Sequence, residues 1–236
     1  MQIRPVPPWP RTPEEAIAQQ ELLARQVVAA GEPIQVRRVA GIDVSVQEGQ
    51  ARAAVAVLQY PELTVEMWTV STASVTFPYI PGLLAYRELP VVLKALECLH
   101  TEPDVFICDA QGIAHPRRLG LASHLGVLLD RPTIGCAKSR LFGTPAGTLP
   151  ERQGSHVPLL APDGQVVGAM VRTRTRVQPV YVSVGHRVDL DWAIQFILSC
   201  CKGTRLPEPI RQAHQLAAFP KDERPDLWTW TRPPGT

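Results

Sequence analysis

Two aspartates stand where an apolar strand has little use for them. Asp43 interrupts Val39-Ala40-Gly41-Ile42-Asp43-Val44-Ser45, and Asp109 directly follows Asp104-Val105-Phe106-Ile107-Cys108. A carboxylate in a central strand is costly to bury unless it is paired or holds a metal. Either one alone reads more readily as a turn cap or an acceptor of backbone hydrogen bonds. On neighbouring strands the two would meet. Hard oxygen ligands of this type suit Mg2+ or Mn2+, which take one or two carboxylates and complete their shell with water and substrate phosphate. Glu88 adds a third carboxylate near the start of a helix, where it also reads as a solvated first-turn residue favoured by the helix dipole.

The elements that must position these groups follow from the apolar pattern. Thr12-Pro13-Glu14-Glu15 is a helix start, with a Thr cap, Pro at the first helical position and Glu three residues after the cap. The helix is predicted over Ala16–Ala30, ending at Gly31. Three Val- and Thr-rich runs, Arg38–Gln47, Ala51–Tyr60 and Leu63–Ser71, are joined by short breaks and suit an antiparallel meander. Beyond them the period changes. Helix over Ala85–Leu99, strand over Asp104–Cys108, helix over Arg117–Leu129 and strand over Pro132–Cys136 argue for parallel pairing through a crossover. Strands at Val166–Arg172 and Val180–Val184 and helices at Leu190–Cys201 and Glu208–Ala218 complete the chain. One α/β domain spanning 1–236 is expected, a mixed sheet whose antiparallel meander leads into parallel strands, with helices on both faces. Its termini, about 1–11 and 221–236, are expected to be proline-rich and irregular.

Composition narrows the classes further. No apolar run approaches the roughly 20 residues that cross a bilayer, and the first residues lack an apolar signal core, so a cytoplasmic protein is expected. The five cysteines have no zinc-like spacing and read as free thiols. Twenty-four prolines in 236 residues are roughly twice average usage. The formal net charge of +2 speaks at first against a nucleic-acid partner, yet it is unevenly spread. Lys138 to Arg211 holds ten basic and five acidic residues, leaving the rest of the chain net acidic. Within that stretch Arg172, Arg174 and Arg176 alternate, which on a strand would place three guanidiniums on one face, for solvent or for phosphate.

Long runs of the chain resemble the endonuclease V family. They are AGIDVSV over 40–46, PYIPGLLAYRE over 78–88, CDAQGIAHPRRLGLASHLGVL over 108–128, PTIGCAKSRLFG over 132–143 and PVYVSVGHRVD over 179–189. The resemblance extends from about Gln19 to His214. It implies an RNase H-like fold and a Mg2+-dependent nuclease, with Mn2+ substituting, that nicks DNA on the 3′ side of a deaminated base such as deoxyinosine and so begins repair. It further implies that Asp43, Asp109 and Glu88 hold the metal, with His214 near it and Lys138 in the active site. The family usually carries Asp-Gly where this chain has Asp109-Ala110, and a left-handed backbone there would strain an alanine.

The residue types fit that chemistry. Phosphodiester hydrolysis needs an activated water and relief of phosphate charge, which a carboxylate-held cation supplies. Lys138 would add a fixed positive charge where negative charge grows. Reading a base edge requires taking the base out of the stack. Two prolines stiffen Pro78-Tyr79-Ile80-Pro81, which the resemblance assigns as a strand-separating wedge, although the residues alone favour a rigid connection with Tyr79 packed into the core. Gly82, Leu84 and Gly112 are candidates for the base pocket, because glycine lets backbone amides approach a keto oxygen. His115 reads either as a phosphate contact or as packing. Gly120 and Ser123, with Gly126, read either as room for the base or as close helix packing.

The same features would serve inosine-containing RNA, since a 2′-hydroxyl contact is not legible in sequence. A catalytically silent RNase H-like binding module is the alternative from another class, and the costly group Asp43, Glu88, Asp109, Lys138 and His214 speaks against it. A small-molecule enzyme would want GxGxxG, GxxxxGK[ST] or GxSxG, and none occurs. No obligate protein partner is inferred, and a monomer is expected.

Overall fold

The computed structural model describes residues 3–5, 8–218 and 227–233. Helix α1 (Pro13–Ala24) precedes strands β1 (Arg38–Gln47), β2 (Gln50–Gln59) and β3 (Thr64–Ser74). Then come α2 (Leu84–Glu97), β4 (Val105–Cys108), α3 (Leu121–Leu129) and β5 (Thr133–Ala137). Strands β6 (Thr144–Pro145), β7 (His156–Leu160), β8 (Val166–Val171) and β9 (Val180–His186) follow, then α4 (Leu190–Ser199), α5 (Glu208–Ala217) and β10 (Leu227–Thr231). The strands form one ten-stranded sheet in the order β10-β3-β2-β1-β4-β5-β9-β8-β7-β6 among the described residues. The pairs β1–β4 and β4–β5 are parallel and the remainder antiparallel. The expected mixed α/β architecture is therefore present.

Two cores sandwich the sheet. On one face Leu89, Val92 and Leu96 of α2 and Leu125 of α3 pack on Ile42, Val55 and Phe106. On the other, Ile194 and Ile197 of α4 and Ile210 and Ala213 of α5 pack on Val39, Ile107 and Val182. Strand β2 is buried from Ala51 to Leu58, which is why it reads as continuous small and branched residues without alternation.

Four expectations need correction. Helix α1 stops at Ala24, because the backbone of Val28 is taken elsewhere: its N–H donates to His186 Nδ1 at 3.1 Å and its carbonyl accepts Arg187 N–H at 2.6 Å. Helix α3 begins at Leu121, not Arg117, because Arg118 is left-handed (φ 58°) and cannot continue a helix. Strand β8 ends at Val171, and the chain then turns. Arg172 folds onto the carbonyls of Pro150 and Val177, and Arg176 pairs with Glu151 at 3.2 Å, so the alternating arginines form no one-sided comb. Finally, part of the C-terminal stretch expected to be irregular is strand β10, whose Trp228 and Trp230 meet Trp68 with ring centroids 4.8 and 6.5 Å apart. Residues 219–226 and 234–236 of that stretch lie outside the described residues. All five cysteines are free thiols.

One glycine decides how α5 seats. A Cβ built on Gly41 would lie 2.0 Å from the Pro209 carbonyl oxygen, so α5 rests directly on the β1 backbone. Gly41→Ala is expected to cost at least about 1–3 kcal/mol through overpacking, measured by urea unfolding; wild-type stability would contradict this packing.

Candidate metal and base-binding site

The parallel register pairs Ile42 with Cys108, so the residues that follow, Asp43 and Asp109, emerge side by side. The Asp109 N–H donates to the Ile42 carbonyl at 3.0 Å, which locks that register at the strand end. Open α/β sheets bind ligands outside the carboxyl ends of such strands. Asp43 Oδ1 accepts the Val44 N–H at 2.9 Å, while its Oδ2 meets His214 Nδ1 at 2.5 Å. His214 arrives from α5, the helix that Gly41 admits. Lys138, one residue past β5, places Nζ 2.5 Å from Asp109 Oδ2. Each carboxylate is thus met by a basic group from a different element.

Ligand atoms of Asp43, Asp109 and His214 lie within 4.8 Å of one another. Two hard oxygens and an imidazole nitrogen are a donor set that a divalent cation accepts. Glu88 stands on α2 outside that group, yet near enough for its charge to be felt. Burial first, then Asp43, push its carboxyl up to about 8; Arg87 pulls the other way, and Asp109 adds the smallest push. Burial and Asp43 likewise raise Asp109, although Lys138 pulls it down. Mutual repulsion of this kind is what a bound cation relieves, so the residues present fit one.

A cavity of 330 Å³ opens beside these carboxylates, and Asp109 and Lys138 belong to its wall. That size sits at the small end of ligand pockets. Tyr79, Ile80, Pro81, Gly82, Leu84, His115 and Gly120 also line it. Tyr79 is 65% exposed, so the core-packing alternative for it is overturned. Pro78 is exposed just before it, outside the lining. Gly82 (φ 82°) needs its freedom, because its carbonyl accepts from Gln20 Nε2, His115 Nε2 and Arg117 Nη2 at 3.0, 2.9 and 2.9 Å.

The bonds of His115 define its role. Its Nδ1 accepts the Arg117 N–H at 3.1 Å, which leaves Nε2 as the donor to Gly82. Burial pushes its pKa down to about 4, so the ring is neutral. It packs and orients the Gly82 peptide, and both nitrogens are already engaged. Two expected pocket residues lie outside the cavity. Gly112 is pressed on β9, where a Cβ would lie 1.9 Å from the Val184 carbonyl oxygen, and its N–H donates to Ser183 Oγ. Ser123 is fully buried and donates to the same Val184 carbonyl at 3.3 Å. Ala110 is not among the left-handed residues, so it carries no backbone strain.

Sequence reasoning missed Gln20, Gln111, Ser139, Arg140 and Leu141 in the cavity wall. A hint existed in the apolar Leu141, next to Arg140 and 45% exposed. Gln20 offers none, since a glutamine on a helix reads as solvated, yet it is 1% exposed here.

Glu88 gives a pH test. Its folded pKa lies above its unfolded one, so the stability it lends is full below about pH 4.5 and is lost as pH rises through about 8. In chelator, the melting temperature is expected to fall across that window, and Glu88→Gln to flatten the fall. An unaltered slope in the variant would contradict the burial of this carboxyl.

Comparison with known proteins places these features in context. The family model described as Endonuclease V matches residues 21–215. An endonuclease V of Gloeobacter violaceus is 53% identical over 220 residues, covering 92% of this chain and 89% of that protein. The crystal structure of the endonuclease V of Streptomyces avermitilis is 43% identical with a TM-score of 0.84, covering 92% and 96%. The Ciona intestinalis endonuclease V, solved with a 23mer DNA containing an inosine followed by a ribo-adenosine, is 30% identical with a TM-score of 0.78, covering 87% and 96%.

Proposed function

The chain belongs to the endonuclease V family, and from that premise we propose that it nicks DNA on the 3′ side of a deaminated base, deoxyinosine first among them, to begin repair. The observation that carries this reading is the shared wall: Asp109 and Lys138 border the cavity while Asp109 also belongs to the carboxylate cluster. A base held in that cavity would bring its own strand against the hydrolytic groups. The likeness to a relative solved with inosine-containing DNA supports the substrate class. The silent-module alternative has no use for the repelling carboxylates.

Asp43 and Asp109 are the residues that would hold a divalent cation, Mg2+ with Mn2+ as substitute, with His214 offering nitrogen and Glu88 placing water from behind. Such a cation acidifies water and neutralises phosphate charge when bound. Lys138 holds a positive charge beside Asp109, where the charge developing on phosphate would gather. Tyr79, on a loop stiffened by Pro78 and Pro81, fills the gap left by an extruded base with an exposed ring. Gly82 and Leu84 flank the start of α2, which has no side-chain cap among the described residues; the Leu83 and Tyr86 N–H groups already donate to the Ile80 and Leu83 carbonyls, which leaves those of Leu84 and Ala85 for a keto oxygen. Gly112 and Ser123 serve this pocket from behind by packing. The chain is proposed to act as a monomer in the cytoplasm; no helix among the described residues is long and apolar enough to cross a membrane.

Three variants test the roles. Asp43→Ala and Asp109→Ala are expected to stay folded and lose nicking of an inosine duplex in Mg2+, by a factor of about a hundred or more. Either one nicking at the wild-type rate would overturn the site. Tyr79→Ala is expected to weaken the preference for inosine-containing over normal strands more than it slows the chemical step. Unchanged discrimination would remove the wedge from the account.

A further inference from the structure

Lys138 sits on a loop, just beyond the end of β5 at Ala137. Two side chains from distant parts of the chain hold that loop by consecutive carbonyls. Arg205 Nη2 donates to the Lys138 carbonyl at 2.6 Å, and Gln111 Nε2 donates to the Ser139 carbonyl at 2.8 Å. The same Arg205 nitrogen reaches the Pro179 carbonyl at 2.9 Å, at the entrance to β9, the neighbour of β5 in the sheet. The backbone of Arg205 is fixed in turn, because its carbonyl accepts Thr173 Oγ1 at 2.5 Å and Thr173 is 1% exposed.

The position of Arg205 along the chain matters as much. It lies two residues before Pro207, the N-cap of α5, and α5 carries His214 to Asp43. A single guanidinium therefore ties the root of the His214 helix to the Lys138 loop. Those are the two elements whose basic groups meet the paired carboxylates. Its Nε is buried and has no partner among the described residues.

We infer that Arg205 is a positioning residue for the hydrolysis: it sets Lys138 against Asp109 by fixing the lysine's own carbonyl. The inference rests on the reading of Lys138 as the charge beside the phosphate. A misplacement of about 1 Å in such a group costs up to a hundredfold in rate.

A mutant cycle tests it, using single-turnover cleavage of an inosine duplex in Mg2+ and duplex binding in chelator. Lys138→Ala and Arg205→Met are each expected to slow cleavage by between tenfold and a hundredfold, with binding within about twofold of wild type. In the Lys138→Ala background, Arg205→Met is expected to add no further slowing, because its effect passes through the lysine. Arg205→Lys is expected to recover part of the rate, and it replaces Arg205→Met in the cycle if that variant fails to fold. Multiplying effects, a wild-type rate in Arg205→Met, or a binding loss equal to the rate loss would each overturn the inference. A wild-type rate in Lys138→Ala would instead remove the reading beneath it, and the inference with it.

Discussion

The register of two parallel strands sets the terms for the rest of the molecule. Pairing Ile42 with Cys108 brings Asp43 and Asp109 together at the edge of a buried sheet. Two carboxylates so placed repel each other, and at Glu88 burial first, then the charge of Asp43, pushes the carboxyl up to about 8. An unpaired charge in such a place is not tolerated. The fold answers with His214 on Asp43, with Lys138 on Asp109, and with a donor set suited to a divalent cation. The site thus concentrates negative charge of a kind that a divalent cation would relieve.

The surrounding architecture delivers those answers with little freedom. Gly41 lets α5 lie against the β1 backbone, which is what carries His214 within reach. The base cavity is shaped by the opposite device, a backbone held by side chains. Gln20, His115 and Arg117 converge on the single carbonyl of Gly82 and so fix the peptide at the root of the Tyr79 loop. The exposed aromatic ring is therefore mounted on a rigid base, which is what the proposed wedge would need. Cavity and carboxylates meet at Asp109, which under the proposed function would link choice of base to position of cleavage.

Much of this was legible in the residues. The Val- and Thr-rich runs read as a meander, the Thr12–Glu15 capping box as a helix start, and the misplaced aspartates as chemistry. What escaped was long-range hydrogen bonding. Val28 leaves the helical pattern because His186 and Arg187 claim its backbone, and no local propensity signals that. The arginines at 172, 174 and 176 alternate like a strand, but carbonyls and Glu151 bend them into a turn. Gly112 and Ser123 lie within the recognisable run yet serve packing, because a strand crosses directly behind them. Gly120 lines the cavity, yet a Cβ there would lie 2.3 Å from the Gln111 carbonyl oxygen, so it too admits the protein's own backbone, and only the third dimension reveals this.

The central claim is that the register-paired aspartates form a cation site. Titration of Mn2+ into the metal-free protein, followed by the loss of the free-ion electron paramagnetic resonance signal, measures this without reference to cleavage. The account predicts saturable binding to the wild-type chain and its loss, by about tenfold or more in affinity, in Asp43→Asn and Asp109→Asn. Equal Mn2+ affinity in the wild type and both variants would contradict it.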